Sequence, residues 1–366
     1  MGDQVRVGVI GTSAYADGTH LPNLKSHADA HIAAICSRNR ERAQEMADKY
    51  DIPAVYTDYH QMLEHAGLDA VVIAVPDDLH YPMTMDALAA GLHVLCEKPL
   101  ALNAQQALAM TEKARMMGVK HMTFFAWRFE PYHRYLHQLM GEGYVGRPYL
   151  CQFRQVGGYG RDGLYAWRFD TQHGNGILGD LGSHMIDMAH WLVGDITRVS
   201  AHLTTSVERT APDAEPLRTP ANDSALLTVE FANGACGAIV VSAVAHMAER
   251  EQFHEVSLYG EAGTLELNTS SLAVQMRGVR QGQTQFEVLT VPDEFRKGVD
   301  LSLPLWDRLS IAMQTQSVGD RQFIDAILND RPVAPNFEDG LKVQAVIDAA
   351  LESQRSGCRI QVRTRG

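Results

Sequence analysis

Along the first 120 or so residues, short β-branched runs alternate with amphipathic stretches. Residues 5–10, 32–36, 70–75, 93–96 and 121–125 read as buried strands, and 40–50, 82–90 and 104–117 repeat apolar positions at helical spacing. Strands separated by single helices of this length imply right-handed crossovers and a doubly wound parallel sheet, so 1–125 is expected to form one α/β domain. Beyond residue 125 the pattern changes. Two helical stretches, 132–141 and 177–192, precede strand signals at 227–231, 237–245, 256–259, 264–267, 272–276 and 286–291, with Asn233-Gly234 as a tight hairpin turn. Residues 126–366 are therefore expected to form an α+β domain with a large open, mostly antiparallel sheet. Its few helices cover one face only, which predicts a homodimer or homotetramer built on the other. The stretch 209–222, with three prolines, reads as an exposed loop, and 292–315 as irregular. A last helix, 338–355, has an apolar stripe of Val343, Val346, Ile347, Ala350 and Leu351 that is expected to pack back across both domains. Arg359, Arg363 and Arg365 then read as a solvated tail.

Composition narrows the class. With 366 residues, 45% hydrophobic and 21% charged, the chain can bury a core without disulfides or structural metal. Thirty-two Lys and Arg against 44 Asp and Glu, a formal charge of −12, repel polyphosphate and argue against a nucleic-acid partner. Five widely spaced cysteines without a CxxC fit a reducing cytosol. The N-terminus lacks the pattern of a signal peptide, and the longest apolar runs fall far short of a membrane span, so a cytoplasmic protein with no membrane partner is expected. Sixteen histidines are unusually many, but the count by itself is poor evidence for metal.

The first strand runs into Gly11-Thr12-Ser13-Ala14-Tyr15-Ala16, where a dinucleotide fold places G-x-G-x-x-G. Only the first glycine is present; Ser13 is small enough for backbone to approach a pyrophosphate, and Ala16 suits close packing of helix on strand. An ordinary strand-to-helix turn would look similar. The second strand ends at Cys36-Ser37-Arg38, with Arg40 and Arg42 behind. A hydroxyl and guanidinium groups in place of the usual carboxylate suit a 2′-phosphate, so NADP is preferred over NAD. The fourth strand signal ends in Glu97-Lys98-Pro99, which puts Lys98 where ligands bind in open α/β sheets, unless Glu97 and Lys98 are only a surface pair. At about 100° per residue Asp180, His184, Asp187 and Trp191 share a stripe about 60° wide. Three readings stay open for it: a metal site that includes His190, a satisfied polar face, or a general base His184 supported by Asp180. Residues 157–168 interleave aromatics with charge. Tyr159, Trp167, Arg168 and, from the earlier Trp127-Arg128, Arg128 are candidate substrate contacts.

The ordered series formed by the Gly11 loop, Pro76-Asp77-Asp78-Leu79-His80, Glu97-Lys98-Pro99, Ala126-Trp127-Arg128-Phe129-Glu130-Pro131, Asp180-x-Gly182-x-His184-x-x-Asp187, Gly260-Glu261-Ala262-Gly263-Thr264-Leu265 and Phe337-Glu338-Asp339-Gly340 resembles the glucose-fructose oxidoreductase / inositol dehydrogenase (Gfo/Idh/MocA) family over nearly the whole chain. The resemblance implies a Rossmann domain followed by the open-sheet domain, and NAD(P)-dependent hydride transfer at a secondary alcohol or ketone of a sugar, polyol or cyclitol. It also implies Lys98, Asp180 and His184 as catalytic residues. Candidate cofactor contacts are Gly11, Thr12, Ser13 and Tyr15, then Ser37, Arg38 and Arg42, then Val75, Pro76 and His80, and finally Glu97 and Lys98. Family alternatives are a glycosidase using its nicotinamide transiently and a non-catalytic dinucleotide sensor. Two departures stand out: the missing second and third glycines, and Ser37 in place of an acidic residue.

Overall fold

The computed structural model of the protein describes residues 4–213, 215–248, 251–270 and 273–364. The chain divides into two compact units, one of residues 1–126 with 310–341, the other of 127–309 with 342–366.

Among its described residues the first unit carries β1 (Val5–Ile10), α1 (Leu21–Lys25), β2 (Ala30–Cys36), α2 (Arg40–Tyr50), β3 (Ala54–Tyr56), α3 (Tyr59–His65), β4 (Ala70–Ile73), α4 (Asp77–Ala89), β5 (His93–Glu97), α5 (Ala104–Met117) and β6 (His121–Phe124). All strand pairs are parallel, in the order β3-β2-β1-β4-β5-β6. This doubly wound order reverses between β1 and β4, so a crevice opens at their carboxyl ends. The central strands read as continuous apolar runs because helices cover both faces: Val7, Val9, Val71, Val72, Val94 and Leu95 are all fully buried.

The second unit contains α6 (Pro131–Gly141), β7 (Pro148–Gly157), α7 (Ser183–Leu192), β8 (Ile196–Thr204), β9 (Ser224–Phe231), β10 (Cys236–Ser242), β11 (Gln252–Gly260), β12 (Gly263–Ser270), β13 (Val274–Arg280), β14 (Glu287–Val288) and α8 (Asp293–Arg296), and ends on β15 (Ile360–Gln361). Helices α9 (Leu305–Thr315) and α11 (Phe337–Ser356) are shared between the units, and α10 (Asp320–Leu328) belongs to the first. The sheet order is β14-β13-β12-β11-β7-β10-β9-β8-β15. It is antiparallel except where β7, contributed from ahead of α7, lies parallel to β10 at its centre. Alternation is clean: Ala225, Leu227, Val229 and Phe231 of β9 are buried, while Leu226 between them is exposed, as is Leu150 of β7 on the same uncovered face.

Several expectations need correction. The pair β3 and α3 was missed because β3 is three residues long and only half-buried. Helix α4 starts at Asp77 instead of residue 82: Pro76 precedes it, and Asp77 and Asp78 sit in its first turn, where carboxylates favour the positive end of the helix. Residues 292–315 are not all irregular. Leu305, Leu309, Ala312 and Met313 are buried at the spacing of one helical face, so the signal for α9 was present. Residues 310–341 cluster with the first unit, where α10 buries Asp320, Phe323 and Ile324. In the stretch 209–222 Arg209 is buried, with its guanidinium 3.5 Å from the Phe169 ring centroid. Arg359 is no free tail residue: it pairs with Glu230, and β15 extends the sheet beside β8. Arg363 is exposed, whereas Arg365 and the first residue of the expected strand 272–276 lie outside the described residues.

Candidate active site

In the first unit the crevice is built from strand ends. Gly11 has φ +117°, and a Cβ there would meet the Ala74 carbonyl oxygen at 2.1 Å, so only glycine fits where β1 passes the end of β4. Its N–H donates to the Cys36 carbonyl at 2.9 Å, holding the loop against β2. Ser13 and Ala14 are exposed and Ala16 is fully buried. A loop with no bulky side chain on its outer surface leaves its backbone open to a pyrophosphate, which fits a dinucleotide despite the missing glycines. Thr12 Oγ1 donates to Ser37 Oγ at 2.9 Å, which joins two of the candidate contacts. None of Ser37, Arg38 and Asn39, which follow β2, is a carboxylate.

Other candidates carry contacts within the unit. Arg42 donates to Asp17 and Glu45, at 3.0 Å each, and Asp17 also takes bonds from Lys49 and Tyr50. The Lys49 hydrogen bond is the main cause that holds the Asp17 carboxyl below its usual range. The buried His80 ring spans the carbonyl oxygens of Pro99, at 2.8 Å, and Val75, at 2.9 Å. Burial pushes its pKa down, so His80 ties the segment after β4 to the segment after β5. Glu97 closes β5; its Oε2 accepts the Lys98 N–H at 3.1 Å, and its Oε1 lies 3.1 Å from His20 Nε2. Tyr15 packs edge-on to the His20 and Phe124 rings, and desolvation lifts its phenol well above the usual range.

In the second unit the stripe Asp180, His184, Asp187 and Trp191 resolves into two groups. Residues 178–182 form a π-helical turn ahead of α7, so the 100° spacing assumed for the whole stripe does not hold across it. Asp187 is buried and bound twice by Arg128, Nε to Oδ2 at 2.8 Å and Nη2 to Oδ1 at 2.6 Å, and the guanidinium also lies over the Trp191 ring. That bidentate pair holds both groups in the interior of the second unit. Asp180 Oδ2 accepts from the Tyr159 hydroxyl at 2.7 Å and lies 3.1 Å from Arg168 Nε. Trp167 lies beneath the Arg168 guanidinium at 5.2 Å. Desolvation of the Tyr159 hydroxyl, then the Asp180 charge, raises its phenol well above the usual range, while 47% of the residue faces solvent. His184 is 8% exposed, with its ring 5.7 Å from that of Trp127. Tyr159, Trp167, Arg168 and Asp180 are thus brought together.

Sequence reasoning missed four polar residues. His20 and Asp320 are fully buried, and His20 Nδ1 lies 2.8 Å from Asp320 Oδ1. Gln155 and His254 face each other across β7 and β11, inward and buried, and the His254 ring packs edge-on to Trp127 at 4.4 Å. Inward parity with Val256 and Leu258 on β11 could have flagged His254. Nothing local marks His20, whose partner lies 300 residues away.

A model described as "Oxidoreductase family, NAD-binding Rossmann fold" matches residues 5–125, and one described as "Oxidoreductase family, C-terminal alpha/beta domain" matches 137–362. The chain belongs to the Gfo/Idh/MocA oxidoreductase family. Levoglucosan dehydrogenase of Pseudarthrobacter phenanthrenivorans is 28% identical over 346 residues, covering 87% of this chain and 86% of its own. D-glucoside 3-dehydrogenase of Escherichia coli is 26% identical over 372 residues, covering 98% and 97%. A solved structure of levoglucosan dehydrogenase in complex with NADH superposes with a TM-score of 0.87 at 25% identity, covering 98% of this chain and 99% of that one. This Gfo/Idh/MocA protein is therefore an oxidoreductase with an NAD-binding Rossmann domain and an open-sheet second domain. Among the described residues no helix is long and apolar enough to cross a membrane.

Proposed function

We propose that this oxidoreductase transfers a hydride between a nicotinamide and a secondary alcohol or ketone of a sugar, polyol or cyclitol. The observation that carries the reading is Asp180, fixed by Tyr159 and Arg168 on the turn that leads into His184. Bound nicotinamide supplies the hydride acceptor. His184 takes the hydroxyl proton, and the fixed Asp180 charge stabilises the imidazolium that forms. Lys98, set at the end of β5 by Glu97, donates a hydrogen bond to the oxygen as alkoxide character grows. Gly11, Thr12, Ser13, Tyr15, Val75 and Pro76 line the dinucleotide crevice. Exposed Tyr159 and half-buried Trp167 offer ring faces to a sugar's C–H face, with Arg168 beside them. The relatives named for levoglucosan and D-glucosides support a carbohydrate.

Ser37 and Arg38 in place of a carboxylate favour NADP(H) over NAD(H), against the NADH of the solved relative. The uncovered sheet face with Leu150 and Leu226 favours a homo-oligomer, which sedimentation tests. The deciding experiment measures NADP+ and NAD+ affinity, then turnover on a panel of sugars, polyols and cyclitols. Tighter NADP+ binding and growth of reduced-nicotinamide absorbance are expected. Tighter NAD+ binding overturns the Ser37-Arg38 reading; sugar release without net reduction overturns simple dehydrogenation in favour of transient redox.

A further inference from the structure

The mechanism leaves unused a charged cluster buried beneath the dinucleotide loop. His20 closes the π-helical turn Ala16–His20 that follows the loop, and its ring is fully buried. Its Nδ1 lies 2.8 Å from Asp320 Oδ1 and its Nε2 3.1 Å from Glu97 Oε1. Two ionised carboxylates need two N–H donors, and a neutral imidazole has only one, so this arrangement favours the imidazolium. Asp320 is fully buried as well, and its second oxygen accepts from Asn23 Nδ2 at 3.1 Å. The second oxygen of Glu97 accepts the Lys98 N–H. Every oxygen of both carboxylates is thereby used, and a continuous chain of charge-assisted bonds runs from α10 through the loop helix to the backbone of Lys98.

We propose that His20 is a positioning residue for hydride transfer: clamped by Asp320 and Glu97, it fixes the backbone of Lys98 relative to the dinucleotide loop. The inference rests on the assignment of Lys98 to the chemistry. The groups that face the His20 ring are Glu97 from β5, Asp320 from α10, the Tyr15 phenol from the loop and the uncharged Phe124 ring from β6. With both carboxylates present the imidazole is pushed up to about 10, against a burial effect that acts downward. Taking one carboxylate away lets that downward effect win. The second carboxylate on this ring comes from α10, which belongs to the same unit.

The test uses the full-length enzyme with the cofactor and substrate found by the turnover screen, and compares Asp320→Asn, His20→Gln and Lys98→Met. Cofactor affinity, single-turnover hydride-transfer rate per active site, and the pH dependence of that rate are measured. Asp320→Asn is expected to keep cofactor affinity within about threefold and to lose about 10- to 100-fold in transfer rate above neutral pH. Because its His20 is no longer held protonated, its rate relative to the wild type should recover as pH falls, which adds a descending alkaline limb that the wild type lacks below pH ~9. His20→Gln should show the low rate at every pH without that limb. A variant that is merely less stable, with an unchanged rate per active site and an unchanged pH profile, overturns the positioning role. Should Asp320→Asn fold poorly, the rate and profile of His20→Gln alone decide. Full activity in Lys98→Met would instead overturn the assignment of Lys98, and this inference with it.

Discussion

Two histidines, one in each unit, are equally hidden from water and opposite in character. His20 is fully buried between two carboxylates and carries a proton. His254 is 2% exposed on β11, has no hydrogen-bond partner for either ring nitrogen among the described residues, and packs against Trp127. Burial followed by the charge of nearby His133 pushes it down to about 3, so it stays neutral. Burial disfavours the charged ring in both places; the number of anionic acceptors decides the outcome. The first unit therefore holds a charged imidazole between two carboxylates, and the second a neutral imidazole packed on Trp127.

The largest effect expected from that contrast comes from Asp320→Ala. It removes one of the two carboxylates that hold His20 protonated in the core, leaves a cavity and an unmatched ring nitrogen, and should cost about 3–5 kcal/mol in denaturant unfolding; a loss under about 1 kcal/mol would mean that the cluster is not a buried ion network. The pH dependence of stability comes next, and its two limbs have opposite signs. His20, raised to about 10, contributes fully below its unfolded value near 6.5 and loses that contribution as pH rises through 10. His254, depressed to about 3, contributes fully above about 6.5 and loses its share as pH falls towards 3, at up to about 1.4 kcal/mol per pH unit. Denaturant midpoints across pH should show a shallower alkaline limb in His20→Gln and a shallower acid limb in His254→Leu; identical limbs in variant and wild type would erase the distinction. Smaller still is the cost of His254→Leu at pH 7. An unpartnered polar ring exchanged for an apolar side chain should shift stability by less than about 1.5 kcal/mol, and a loss of several kcal/mol would show that the ring is hydrogen-bonded through water. Least of all, Arg359→Ala, which breaks an ion pair more than half open on its Arg side, should cost under about 1 kcal/mol.

The same contrast shows what the sequence makes legible. Strand β1, the Gly11 turn, and Lys98 after β5 are local features: apolar runs, a glycine that must adopt positive φ, and a residue at a strand end. β1 spans Val5–Ile10 as expected, Gly11 takes positive φ, and β5 ends at Glu97, directly before Lys98. The partners that give the site its chemistry are non-local. Asp320 reaches His20 from 300 residues away, Tyr159 and Arg168 reach Asp180 from a loop, and Arg128 takes Asp187 out of the helical stripe. Periodicity placed Asp180 and Asp187 as equals. The π turn at Leu178–Gly182 and the choice between two arginines made them different, and neither is visible in residue spacing.

The account turns on His184 as the group that takes the substrate's proton. The most direct test is the single-turnover hydride-transfer rate against pH for the wild type and His184→Ala, with cofactor and substrate saturating. The account predicts a wild-type rate that rises with pH through one ionisation, and a variant at least about 100-fold slower that has lost that ionisation. A variant that keeps both the rate and the ionisation would contradict it.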